Sequence, residues 1–197
     1  KDLLKVPILT RKMIKENQKL LISEDIDKMN YKVEKTGGTS ESNPMSFLMD
    51  TKSRAWARAR FYRQFIGYNI RERKKMLRYM DPIKFKHNTI RSKVQDFLIN
   101  QKWLIINDSD SKSLKLNKLN EIKNFGPKFV KGRPSSIFDL AKIYRDLGNF
   151  SFKFERIFTN GELLLPSQRK FIEDTFKCEI FDFYGCEGGI SAFQCEE

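Results

Sequence analysis

The sequence predicts an α/β fold in which a parallel sheet is layered with helices. Three observations carry this. Short β-rich runs alternate with helix-period stretches through the C-terminal third. Each of those runs stops at or just before a glycine, at Gly132, Gly161 and Gly185. Hydrophobic residues make up 40% of the 197 and 17 are Phe, ample material for a core. Strand, helix, strand, helix, strand at these lengths is a parallel, right-handed crossover unit.

Taken in order, the elements begin with Thr10, which can cap a helix whose Met13, Ile14, Asn17, Leu20 and Leu21 share one face. The polar stretch KTGGTSESNP follows, Lys35 to Pro44, and Met45 to Met49 reads as a short strand. In RAWARARFYRQFIGYNIRERKKMLRY, Arg54 to Tyr79, the residues Ala55, Ala59, Tyr62 and Ile66 recur at helical spacing. Arg54, Arg58 and Arg60 fall largely off that stripe, which predicts an amphipathic helix with an arginine face ahead of the Arg71 to Lys75 cluster. Asp81 to Asn124 is weakly patterned, and its INDSDSKSLKLNKLN portion reads as a polar surface excursion.

The C-terminal third is more sharply written. PKFVKG is a strand entering a turn at Gly132, Arg133 and Pro134, after which Ser135 or Ser136 caps a helix. Ile137, Leu140, Ala141, Tyr144 and Leu147 form that helix's stripe. FERIFT, Phe154 to Thr159, is a second strand ending at Asn160 and Gly161. Pro166 suits the first turn of the next helix, with Phe171, Ile172 and Phe176 as its buried face. CEIFDFYG is the third strand. In an open parallel sheet, ligands bind beyond the carboxyl ends of the strands, where GRPSS, TNGEL and YGCEGG fall.

Composition narrows the function classes. The net charge of +13 suits a polyanion partner, but the lysines are scattered along the chain, which reads as a compositional bias on solvated faces with no specific nucleic-acid partner. No zinc-finger pattern or RNA-binding aromatic motif accompanies the arginine-rich segment. Cys178, Cys186 and Cys195 match neither a disulfide framework nor a structural zinc site, so reduced thiols in a cytoplasmic protein are expected. The only histidine, His87, stands in a polar stretch and reads as a surface residue, which removes most histidine-based catalysis. Apolar runs such as Trp103 to Ile106 are far too short for a membrane span.

KTGGTSESNP is not a Walker A loop, because no Gly-Lys-Ser or Gly-Lys-Thr closes it. Gly37 and Gly38 let backbone amides converge on an anion, and Thr36, Thr39 and Ser40 add hydroxyls. By itself the string reads as a polar turn. In company with LTRKMIKEN, PKFVKGRPSSIFDLAKIY, RIFTNGELLLPSQRKFIEDTF and IFDFYG, in that order, it resembles the phenylacetate-CoA ligase family of adenylate-forming enzymes. The resemblance looks closest to the CapK-type relatives of capsular polysaccharide biosynthesis, and it is weakest between Asp81 and Asn117.

The resemblance implies part of the large N-terminal domain of such an enzyme, with residues 1–197 an incomplete AMP-binding core. The implied activity is ATP-dependent activation of a small carboxylic acid, using Mg2+, with coenzyme A as a possible acceptor. Thr36, Gly37, Gly38, Thr39 and Ser40 would hold the β- and γ-phosphates. Asn160, Gly161 and Glu162 would border the adenine, Tyr184 would stack on it, and Gly185 would let the backbone close in. Glu187 would be the catalytic Mg2+ ligand. Glu41, however, stands where the family loop has a glycine, and a carboxylate beside polyphosphate costs binding unless it turns outward or meets the metal. Glu187 follows Tyr184 and Gly185 after one residue where the family has two. The ribose-binding Asp, hinge and C-terminal lid are expected beyond Glu197. A degenerate, non-catalytic homologue is the alternative that these departures leave open.

Overall fold

In the computed structural model, which describes residues 5–28, 30–35, 46–56, 59, 63, 74–81, 89–148, 152–185 and 191–193, the chain divides into two units, Lys1–Tyr62 and Arg63–Glu197. The first unit is built by local signals. Thr10 Oγ1 accepts from the Met13 amide at 3.2 Å and starts helix α1, Arg11–Glu16. The expected single face does not continue through Leu21, because the Asn17 amide and its side-chain Nδ2 both donate to the Met13 carbonyl and end the helix there. A 3-10 turn, Gln18–Leu21, follows, with Leu20 82% exposed.

Strands β1, Tyr31–Lys35, and β2, Ser46–Asp50, then pair antiparallel, from Tyr31 opposite Asp50 to Lys35 opposite Ser46. Strand β1 is a surface strand: Tyr31 and Val33 share one face but stay exposed, so the short YKVEK run buries no core. Asp50 closes β2 and opens the next helical run, 51–56: its Oδ1 accepts from the Lys52 and Ser53 amides at 2.8 and 2.9 Å. The Ser53 hydroxyl, then the Ser53 amide, hold its carboxyl below the usual carboxylate range. Ala55 and Ala59 lie in helical backbone as expected and are exposed, while Tyr62 and Ile66 lie outside the described residues.

The second unit is a six-stranded sheet. Its elements in chain order are β3 (Met76–Tyr79), α2 (Ile90–Leu98), β4 (Gln101–Leu104), α3 (Lys112–Phe125), β5 (Phe129–Gly132), α4 (Pro134–Leu147), β6 (Arg156–Asn160), α5 (Pro166–Phe176), β7 (Ile180–Gly185) and β8 (Ser191–Phe193). The spatial order is β4-β3-β5-β6-β7-β8, with five parallel strands and β8 antiparallel to β7. The alternation predicted from Lys128 onward is thus present, and it extends further upstream than expected.

Two expectations fail there. The tail of the arginine-rich stretch is the strand β3, whose Met76, Leu77 and Tyr79 are buried; a strand buried on both faces has no period-two signature. The presumed surface excursion holds α3, capped by Ser111 and closed by Gly126 at φ 63°, with Leu119 and Ile122 fully buried. Its four lysines, Lys112 and Lys123 exposed and Lys115 and Lys118 half-buried, mask a narrow apolar stripe in the sequence.

Side chains alternate across the sheet. Leu77, Tyr79, Leu104, Val130, Ile157 and Ile180 join one core with Leu119 and Ile122 of α3, Ile137, Leu140 and Ala141 of α4, and Ile172 and Phe176 of α5. Ring contacts extend it: Tyr144 packs on Phe152 at 4.9 Å between centroids, and Phe154 on Phe176 at 5.0 Å. The other face carries Met76, Phe129, Phe158, Phe181 and Phe183, also buried, with Phe158 and Phe183 stacked at 5.6 Å. Cys178, the described cysteine, is a free thiol whose pKa burial, and then Glu173 and Glu179, push up to about 12.

Candidate functional site

The carboxyl ends of β3, β5, β6 and β7 lie along one edge, since the register pairs Tyr79 with Gly132, Gly132 with Thr159, and Asn160 with Phe183. GRPSS and TNGEL leave from that edge, and so does Tyr184-Gly185 at the end of β7. The topology therefore brings the sequence-predicted residues Asn160, Gly161, Glu162, Tyr184 and Gly185 to a common end of the sheet. Thr36 to Ser40, Glu41 and Glu187 lie outside the described residues; the flanks of the glycine stretch, Lys35 and Ser46, are register partners in the β1–β2 hairpin. Among the described residues no group of three or more His, Cys, Asp or Glu side chains could hold a metal.

The first turn starts from steric need. A Cβ on Gly132 would stand 3.0 Å from the Tyr79 carbonyl and 2.9 Å from Ile137 Cδ1, so only glycine lets β5, β3 and α4 close together. Helix α4 then begins two residues earlier than a Ser135 cap would allow. Arg133 is the residue at the cap with extended backbone, and Pro134 takes the first helical position, where its missing amide hydrogen costs nothing. Neither Ser135 nor Ser136 caps. The Ser135 amide instead donates to Glu162 Oε2 at 3.2 Å, from the turn after β6, and Arg133 Nη1 stands 3.7 Å from Glu162 Oε1.

The second turn hinges on Gly161, whose φ of +87° is unfavourable for any side chain. Just before it, Asn160 Oδ1 is buried and, among the described residues, meets no hydrogen-bond donor. A buried acceptor left unmet costs roughly 1–3 kcal/mol, so this atom is poised for an N–H from a ligand. Tyr184 is 69% exposed, an aromatic face open at the same edge.

Two charged residues at this edge escaped the sequence reading. Thr159, fully buried, donates to Asp182 Oδ1 at 2.6 Å on the helix-covered face. Lys131 lies on the opposite face with Nζ 5.1 Å from the Phe183 ring centroid; desolvation, then the Arg78 guanidinium, hold its pKa well below the usual lysine value. The signal for both was a charge inside an otherwise apolar strand run, FVKG and IFDFYG. Together the edge offers an aromatic plane, an unmet acceptor and two glycines that admit a close backbone approach, which is equipment for binding and orienting a planar group.

No protein-family model matches the chain, and no curated protein does. Solved structures match its fold. A 2-hydroxyisobutyryl-CoA ligase in an open conformation, in complex with 2-HIB-AMP and CoA, superposes with a TM-score of 0.59 at 17% identity over 92% of this chain and 40% of its own. The same ligase in the postadenylation state, in complex with R3-HIB-AMP, gives 0.60 at 16% identity over 92% and 39%. VinN gives 0.58 at 12% over 83% and 38%. The chain thus spans about two fifths of the length of these proteins. It has the α/β fold of the N-terminal domain of adenylate-forming enzymes.

Proposed function

We propose that this chain is the nucleotide-binding part of an enzyme that activates a small carboxylic acid with ATP. The carboxylate oxygen attacks the α-phosphorus, the bond to pyrophosphate breaks, and an acyl-adenylate forms; an acceptor such as the coenzyme A thiol then takes the acyl group and AMP leaves. The reading extends to the phenylacetate-CoA ligase family and its CapK-type relatives through the quoted motifs. The observation that carries it is Asn160 Oδ1, a buried acceptor lacking a donor, at the strand edge where Tyr184 is exposed. A nucleobase brings an aromatic surface on which Tyr184 can stack and N–H donors of the kind the Asn160 acceptor lacks.

In this reading Asn160, Gly161 and Glu162 border the base, Gly185 admits its close approach, and Thr36 to Ser40 hold the β- and γ-phosphates. Mg2+ at Glu187 would neutralise charge on the departing pyrophosphate. Adenylyl transfer needs alignment and charge stabilisation more than a nucleophilic side chain, so the single histidine is no obstacle. A second reading, a non-catalytic homologue that keeps the fold, is favoured by Glu41 and by the shortened spacing before Glu187.

Thermal unfolding with and without millimolar Mg-ATP tests the proposal. A ligand at a hundredfold its Kd should raise Tm by about 5 °C or more. Tyr184→Ala should weaken binding by roughly 1–3 kcal/mol, the range for aromatic base platforms. No shift in the wild type sinks the ATP reading and leaves the homologue that keeps only the fold.

A further inference from the structure

The Glu162 carboxylate is already engaged inside the protein. Pro134 has no amide hydrogen and Arg133 offers no side-chain cap, so the first free amide of α4 belongs to Ser135. That amide donates to Glu162 Oε2 at 3.2 Å, while Oε1 lies 3.7 Å from Arg133 Nη1. One carboxylate therefore holds both sides of Pro134 and ties the turn after β5 to the turn after β6. The α4 macrodipole and the guanidinium both favour a negative charge at this point.

Gly161 is in a conformation that other residues avoid, and among the described residues beyond its chain neighbours no atom lies within 4 Å of where its Cβ would be. Asn160, with its buried unmet acceptor, directly precedes it. We propose that Glu162 is a positioning residue that clamps the β6 turn to the α4 N-terminus and thereby sets where Asn160 and Gly161 meet a nucleotide base. The clamp stands on the Ser135–Glu162 and Arg133–Glu162 contacts; its consequence for the base rests on the ATP reading above.

The test uses the whole chain with Glu162→Ala and Glu162→Gln, reading Ser135 amide hydrogen exchange, Mg-ATP affinity by calorimetry, and Tm. Glu162→Ala should speed Ser135 exchange and weaken Mg-ATP binding, each roughly fivefold to tenfold, the value of a lost helix cap. Glu162→Gln keeps an acceptor oxygen for Ser135 and should restore most of both. Unchanged Ser135 exchange in Glu162→Ala overturns the clamp. A lowered Tm with unchanged affinity overturns the positioning role and leaves a structural one. Equal affinity loss in both variants with Ser135 exchange undisturbed also overturns it, because Glu162 would then touch the nucleotide through its charge. A wild type that binds no Mg-ATP removes the function reading and the positioning role, while Ser135 exchange still decides whether the clamp exists.

Discussion

The two units of this chain are stabilised by different physics. In Lys1–Tyr62 none of the described side chains is buried, and order comes from caps, a hairpin and surface ion pairs such as Arg54 to Glu34 at 3.1 Å. In Arg63–Glu197 the sheet is packed on both faces, with Leu77, Val130, Ile157 and Ile172 fully buried. Caps and exposed ion pairs contribute about 1 kcal/mol or less each, whereas a fully buried aliphatic side chain contributes roughly 1.5–3 kcal/mol. The difference teaches that the candidate edge owes its geometry to a packed scaffold, while the flanks of the glycine stretch, Lys35 and Ser46, are joined by hairpin pairing.

The sharpest way to break this contrast is to truncate one apolar side chain in each unit. Ile157→Ala should cost about 2–5 kcal/mol in urea unfolding, because the cavity it leaves is enclosed by the helix layer. Leu20→Ala, at a side chain 82% exposed, should stay within about 0.5 kcal/mol. A large effect at Leu20 would show that its apolar surface is covered in solution.

A smaller and pH-dependent effect should mark the sheet unit. The folded pKa of Lys131 lies below its unfolded value near 10.5, so between the two the unfolded chain holds the proton and the folded chain does not. Stability should therefore rise with pH between the lowered folded pKa of Lys131 and its unfolded value near 10.5, and Lys131→Met should flatten that slope. Toward the upper end of that window Cys178 opposes it, since its thiol keeps a proton in the folded state that the unfolded state gives up near 9.0. A slope unchanged in Lys131→Met would assign the titration elsewhere.

The least effect belongs to the first unit. Thr10→Ala should remove the Met13 cap and cost about 1 kcal/mol or less, visible as lost helicity near Arg11–Glu16 without a change in the sheet's unfolding midpoint. A shared loss in both units would mean that they unfold together.

The sequence by itself determined the alternation from Lys128 to Gly185, the glycines that end each strand, the proline start of α5, and the Thr10 cap. These are local: backbone sterics and hydrophobic period act within a few residues and leave a mark in the string. Asn160, Gly161, Glu162, Tyr184 and Gly185 were legible as a group for the same reason, since each stands where a strand stops. Tertiary structure alone decided that Met76–Tyr79 is a strand between β4 and β5, that Leu119 and Ile122 of a lysine-rich segment are core, and that Glu162 rather than a serine caps α4. Burial on both faces erases periodicity, and a cap supplied from 27 residues away has no spacing to recognise, so only the folded chain brings those partners together.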